Sequence, residues 1–232
     1  MTTVSTQLLP AAALWDMDGT IINSEPLWLD AEVRMLERYG IAVPVDIHER
    51  LVGQGLTTAA REFQALGVPL TVEEIVAEWA DGVVTGLAAS DPLWIAGALE
   101  MLASFRERGV PNALVTMSVR SIADAVVAHL PAGTFDAIVT GDDVEFEKPH
   151  PDPYLRGAAA LGVDPEECIA FEDSPPGTAA AAASGAFVIG VPNMVALEGS
   201  AAHIILPTLS GMDADGASAL WHEHRSTNEE TT

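Results

Sequence analysis

The chain opens its readable pattern with a short apolar run, Leu9 to Trp15, that stops abruptly at Asp16-Met17-Asp18-Gly19-Thr20. A buried strand running out into a polar turn has this form. From Ser24 the period changes to helical. Ser24 suits an N-cap, Pro26 a first turn, and Leu27, Ala31, Met35 and Leu36 keep helical spacing up to Gly40. Three more helical stretches follow, over Asp46 to Val52, Leu56 to Leu66 and Thr71 to about Ala88, with no strand between Ser24 and Ser90.

After Asp91-Pro92 short apolar runs and helices alternate. Helices are expected over Gly97 to Arg108, Ser121 to Leu130, Pro151 to Leu161 and Pro176 to Ser184. Strands are expected over Pro111 to Thr116, Phe135 to Thr140, Cys168 to Phe171 and Ala186 to Ile189. That alternation predicts an α/β fold: a Rossmann-like parallel sheet covered by helices on both faces, with the first strand in the same sheet. The helical block is then a cap inserted after strand one. The expected organisation is a core of residues 1–23 and 91–210, a cap over 24–90, and a polar C-terminal tail over 211–232 that frays, with Trp221 as its one docking candidate. No internal repeat is present, and the alanine run at 179–186 reads as a helix packed close to the sheet.

Composition narrows the partners. The 232 residues carry 34 acidic and 10 basic side chains, a net charge of −24. This excludes nucleic acid and anionic membrane surfaces, which require a basic face. No run is long enough for a membrane span, and the N-terminus lacks the basic flank of a signal peptide. Cys168 is the sole cysteine, so no intrachain disulfide exists, and a cytoplasmic protein, monomeric or weakly dimeric, is expected. Nine of the ten basic residues are arginine; Lys148 is the only lysine.

Three polar clusters sit where expected strands end: Asp16/Asp18, Thr116/Ser118 and Glu172/Asp173/Ser174. Lys148 lies in the loop after a fourth strand. Ligands of open parallel sheets bind at the carboxyl ends of the strands, so these positions converge. Several carboxylates in one place require a cation, and an all-oxygen set suits Mg²⁺. A hydroxyl and an ammonium remain to hold an anion, and together these are the parts of a phosphoryl-transfer site.

Asp16-Met17-Asp18-Gly19-Thr20, Thr116, Lys148-Pro149 and Glu172-Asp173-Ser174, in that order, resemble the four motifs of the haloacid dehalogenase superfamily. The stretches DMDGTIINSEPLW and KPHPDPYLRGAAALGVDPEECIAFEDSPPGTAAAAASGA are similar to the branch of sugar-phosphate phosphatases and β-phosphoglucomutases. The resemblance implies that Asp16 attacks phosphorus and that Asp18 serves as general acid and then base. It implies a Mg²⁺ site of Asp16, the backbone carbonyl of Asp18, and Asp173, with Glu172 acting through a water. Thr116, Lys148 and, less firmly tied to the motif, Ser118 would bind the phosphoryl oxygens. The helical block would be a mobile cap, and Gly53 and Gln54 in its turn are candidate substrate contacts, flanked by Arg50 and Arg61.

DMDGT echoes a calcium loop, but Ile21 and Leu27 stand where an EF-hand needs Gly and Glu. Ser118 serves equally as a helix cap, Asp142 and Asp143 read as turn residues, His222 and His224 as a solvated tail, and Cys168 as core. Trp28 occupies the place where β-phosphoglucomutases typically have a histidine, the cap lacks lysine, and Glu147 precedes Lys148 where a small residue is common. The expected function is a Mg²⁺-dependent phosphatase acting on a small phosphorylated metabolite of the sugar-phosphate type. A phosphosugar mutase is the alternative, and a non-catalytic domain binding Mg²⁺ or phosphate is a distant one.

Overall fold

The computed structural model describes residues 8–45, 47, 51 and 55–229. Six parallel strands form one sheet in the order β3-β2-β1-β4-β5-β6. They are β1 (Ala12–Trp15), β2 (Asn112–Val115), β3 (Ala137–Val139), β4 (Cys168–Glu172), β5 (Phe187–Gly190) and β6 (Ile204–Ile205). The helices are α1 (Glu25–Arg38), α2 (Leu56–Leu66), α3 (Val72–Ala89), α4 (Ala98–Glu107), α5 (Arg120–Val127), α6 (Asp152–Leu161), α7 (Pro175–Ala183) and α8 (Ala214–Glu229).

The two-residue alternation of β1 feeds two cores. Ala13 and Trp15 join one apolar cluster with Phe105, Phe171 and Ile189. Ala12 and Leu14 join the other with Val115, Tyr154, Ala170 and Ala181. Every residue of β1, β2, β4 and β5 is buried, which is why these strands read as unbroken apolar runs and not as alternating ones. Trp15 stacks on its register partner Phe171 with centroids 4.0 Å apart, and its indole N–H donates to Asn112 Oδ1 at 2.9 Å. The first core therefore contains a polar pair satisfied within itself.

Helices α1, α2 and α3 lie between strands one and two of the chain. They share a continuous apolar cluster in which α1 packs on α3 closely enough that Gly82 faces the Ala31 side chain. Thr71 caps α3 with a reciprocal pair: its hydroxyl accepts from Glu74 N at 3.2 Å while the Glu74 carboxylate accepts from Thr71 N at 2.9 Å. The two links into this helical segment run side by side. Asn23 N donates to Leu93 O at 2.7 Å, and Ile95 N donates to Ile21 O at 2.9 Å.

Three expectations are corrected. The chain beyond residue 211 is not a fraying tail, because α8 docks across α4. Ala214, Ala217 and Trp221 are buried there, Arg108 pairs with Asp215 at 2.7 Å and Ala214 N donates to Ser104 Oγ at 2.9 Å. His222 is accordingly tied back, with Nε2 2.6 Å from Leu8 O, and His224 packs on the His203 ring. Strand β6, only two residues long, escaped the sequence pattern. Ser24 sits at the N-cap of α1 but does not cap it; its hydroxyl is used elsewhere. Of the expected helix over 46–52 only Ile47 and Leu51, both buried, are described; Arg50, Gly53 and Gln54 lie outside the described residues. No helix among the described residues is long and apolar enough to cross a membrane.

Candidate active site

Strands β2, β1 and β4 are neighbours in register, Leu114 and Phe171 both opposite Trp15, so the chain leaves all three at one level. Asp16 is the first residue past β1, Thr116 the first past β2, and Glu172 ends β4 with Asp173 next. The convergence expected at the strand ends is therefore present. Asp16, Asp18, Thr116, Ser118, Lys148, Asp173 and Ser174 line one pocket beneath α1, α2 and α3.

Lys148 is the centre of this arrangement. Its ammonium donates to Asp16 Oδ1 at 2.7 Å, Glu172 Oε1 at 2.7 Å and Val115 O at 3.1 Å, so all three N–H bonds are used. Burial disfavours the charged lysine, but the two carboxylates outweigh it and hold Lys148 above its ordinary range. Glu172 is fully buried and also accepts from Tyr154 Oη at 2.6 Å and Ser174 Oγ at 3.1 Å. Ser174 Oγ in turn accepts from Gly177 N at 3.2 Å, capping α7. Gly177 has to be glycine, since a Cβ there would enter the Glu172 carboxylate. Burial, and then the charge of Glu172, push the Tyr154 phenol well above its usual value, so it stays a donor.

Oxygens of Asp16, Glu172 and Asp173 lie within 4.8 Å of one another. Burial first, and then repulsion from Glu172, pushes the Asp16 carboxyl up to about 7 against the opposing pull of Lys148. Burial and repulsion from Asp16 raise Asp173 well above the carboxylate range. Three buried carboxylates sharing one ammonium are short of positive charge, and an oxygen-preferring divalent cation fits that shortage. Gly19, at φ +85°, lets the Asp16–Thr20 turn close over this group; a Cβ there would collide with the Asp173 carboxylate.

The Asp18 carboxylate is not in that cluster. Its Oδ1 accepts from the Ser24 hydroxyl and from Trp28 Nε1 at 3.2 Å, and its Oδ2 accepts from Ser118 Oγ at 2.7 Å and Thr116 Oγ1 at 3.3 Å. Thr116 and Ser118, expected on a phosphoryl group, are thus found holding Asp18, with Ser118 N also donating to Thr116 Oγ1 at 3.0 Å. Ser118 is not the cap of α5, whose N-cap is Val119. Ser24 and Trp28 as Asp18 partners, and Tyr154 as the Glu172 partner, were missed from the sequence.

Asp142 and Asp143 are turn residues, bonded to Arg120 N at 2.6 Å and to Thr140 N at 2.9 Å. Cys168 is buried core. Glu147 does not put its charge into the site: its carboxylate packs against Gly55. The far side of the pocket adds Glu25, Trp28, Glu32, Leu51, Leu56 and Trp79. Burial, with a smaller contribution from Asp18, pushes Glu25 up to about 7, and burial, with Glu25, pushes Glu32 up to about 8.

The sequence profile of the haloacid dehalogenase-like hydrolase family matches residues 10–185. The chain is 33% identical over 181 residues to validoxylamine A 7'-phosphate phosphatase of Streptomyces hygroscopicus subsp. limoneus, covering 77% of this chain and 84% of that one. It is 33% identical over 187 residues to hexitol phosphatase A of Escherichia coli, covering 77% and 81%. In fold it is similar to β-phosphoglucomutase from Clostridium difficile, with TM-score 0.82 at 22% identity over 94% of this chain and 100% of that one.

Proposed function

The chain belongs to the haloacid dehalogenase-like hydrolases and is a phosphoric monoester hydrolase, and from that premise we propose that it is a Mg²⁺-dependent sugar-phosphate phosphatase working through an aspartyl-phosphate on Asp16. The observation that carries this reading is the buried Lys148 ammonium bridging Asp16 and Glu172 beside Asp173. It supplies a nucleophilic carboxylate, a fixed positive charge and the oxygens for a cation within one pocket.

In the first step an Asp16 carboxylate oxygen bonds to phosphorus as the P–O bond to the leaving alcohol breaks. Asp18 gives its proton to the departing oxygen. In the second, a water oxygen attacks the same phosphorus, Asp18 takes its proton, and the Asp16–phosphorus link breaks to release inorganic phosphate and free Asp16. The four donors around Asp18 support this dual role by holding its carboxylate in one orientation while the proton comes and goes. Thr116 and Ser118 reach the phosphoryl oxygens in this reading by exchanging that bond for one to substrate. Lys148 offsets the charge that gathers on the equatorial oxygens. Asp16, Asp173 and the backbone carbonyl of Asp18 would hold Mg²⁺, with Glu172 behind them; when bound, the ion lends further positive charge to the phosphoryl oxygens.

The mutase alternative has the fold likeness on its side, but at 22% identity that likeness concerns the fold. Trp28 weighs against it, because its N–H is committed to Asp18 and an indole does not relay protons. The test is turnover of p-nitrophenyl phosphate and a panel of hexose and pentose phosphates, with and without Mg²⁺. Release of phosphate by the wild type, loss of it in EDTA and in Asp16→Asn, and recovery on adding Mg²⁺ are expected. Full turnover by Asp16→Asn sinks the reading. Conversion of β-glucose 1-phosphate to glucose 6-phosphate without net phosphate would establish the mutase instead.

A further inference from the structure

Glu147 precedes Lys148 in the chain but does not line the pocket that Lys148 serves. Its carboxylate rests on Gly55, where an added Cβ would enter it. Gly55 has φ −69°, a conformation open to any residue, so glycine is required there by the space Glu147 fills and not by the backbone. Gly55 is also the N-cap of α2, and a carboxylate seated on it stands at the positive end of that helix. The first turn of α2 carries no acidic side chain of its own. A half-buried carboxylate from the chain between β3 and α6 supplies that charge instead.

The contact joins two parts of the fold that the chain connects elsewhere. The helical segment α1–α3 is tied to the sheet through the paired stretches at Asn23 with Leu93 and Ile21 with Ile95. Rotation of the segment about those links lifts Gly55 off Glu147. It also widens the pocket, because the turn of α2 that follows Gly55 supplies Leu56 and Ala59 to the pocket wall. Helix α3 sits on the same side, with Val72, Val76 and Ala80 facing Met117 and Val119 across a groove that Glu147 also lines. We propose that Glu147 is a positioning residue, a latch whose carboxylate holds the N-terminus of α2, and with it the helical segment, in its seat over Asp16. The sign of its effect separates a latch from an idle charge. An idle carboxylate near a phosphate site repels an anionic substrate, so its removal raises kcat/KM. Removal of a latch lowers it. A charge at a partly buried helix terminus shifts such an equilibrium by up to about thirtyfold.

The test uses the full chain with Mg²⁺ and the best-hydrolysed member of the sugar-phosphate panel. Glu147→Gln keeps the shape and removes the charge; it should lower kcat/KM at least about threefold, mainly through KM. Acrylamide quenching of the indole fluorescence, measured without substrate, should rise in the same variant, since Trp28 and Trp79 line the pocket that opening exposes. Gly55→Ala displaces the carboxylate and should give both changes in the wild-type background, yet add nothing to Glu147→Gly, where the space is free. Urea midpoints should stay together across the set, because opening is not unfolding. Unchanged or raised kcat/KM with unchanged quenching in Glu147→Gln overturns the latch. So do additive losses from Gly55→Ala and Glu147→Gly, or activity that falls only in step with the urea midpoint. The activity arm rests on the phosphatase reading, and the quenching arm does not. A wild type inactive on every ester, p-nitrophenyl phosphate included, brings down that reading and leaves the latch to be decided by the quenching cycle.

Discussion

Replacing Lys148 by alanine removes the one ammonium shared by Asp16 and Glu172. The side chain of Lys148 is 5% exposed and that of Glu172 is 0% exposed, so solvent cannot replace the lost charge. Two consequences follow with different sizes. In turnover, loss of one preorganised charge aimed at developing negative charge costs about 2.7–4 kcal/mol, or roughly 10²–10³-fold. In stability, breaking a buried ion pair costs about 3–5 kcal/mol when the stranded charge stays ionised. Here the Asp16 carboxyl, already pushed up to about 7, can take up a proton, so the stability loss should fall below that range while the catalytic loss remains. Because Lys148 lowers the proton affinity of Asp16, its removal also moves the acid limb of the pH–rate profile to higher pH. The assay is steady-state hydrolysis of p-nitrophenyl phosphate across pH 5–9, beside urea unfolding of the same preparations. A loss of turnover under about threefold in a folded variant would refute the reasoning, since no preorganised charge at a transition state is worth so little.

Two further outcomes are expected. Glu32 binds its proton more tightly in the folded chain, at about 8 against 4.5, so its contribution to stability is favourable at low pH and is lost as pH rises from about 4.5 through about 8. Glu32→Gln should therefore match the wild type near pH 5 and exceed its melting temperature progressively up to pH 9; parallel curves would contradict the burial. Tyr154→Phe removes the 2.6 Å hydrogen bond to Glu172 and should cost about 1.5–3 kcal/mol in urea unfolding, the range for a bond to a charged group. A value near zero would mean that Glu172 finds another donor.

Much of the fold was legible because its strands are buried on both faces and its helices are closed by plain signals. Thr71 with Glu74, and Gly67 and Gly162 at left-handed C-caps, bound helices that were read to within a residue or two. The C-terminal helix was not, because its buried residues, Ala214, Ala217, Ser218 and Trp221, are mostly small, and three small side chains with one Trp leave no strong apolar stripe among the charges. At the site, residues following strand ends could be located from the sheet rule alone. Partnerships could not. Ser24 and Trp28 reach Asp18 only because the chain turns back at Gly19 into α1, and Tyr154 reaches Glu172 across the sheet from α6. Glu32 did leave a trace, as a carboxylate within the apolar stripe of α1, where helical spacing alone would place a hydrophobic residue.

The central claim, a phosphoryl group carried on Asp16 and released with the help of Asp18, is tested most directly by trapping it. p-Nitrophenolate leaves without a general acid, so Asp18→Asn should still form the first bond but lack the base for the second step. Rapid quench of that variant with Mg²⁺ and p-nitrophenyl phosphate is predicted to give a burst of one nitrophenolate per chain. Intact mass should then show one added phosphoryl group, and peptide mapping should place it on the segment containing Asp16. Wild-type-like steady turnover without any adduct, or an adduct on another residue, would contradict the mechanism.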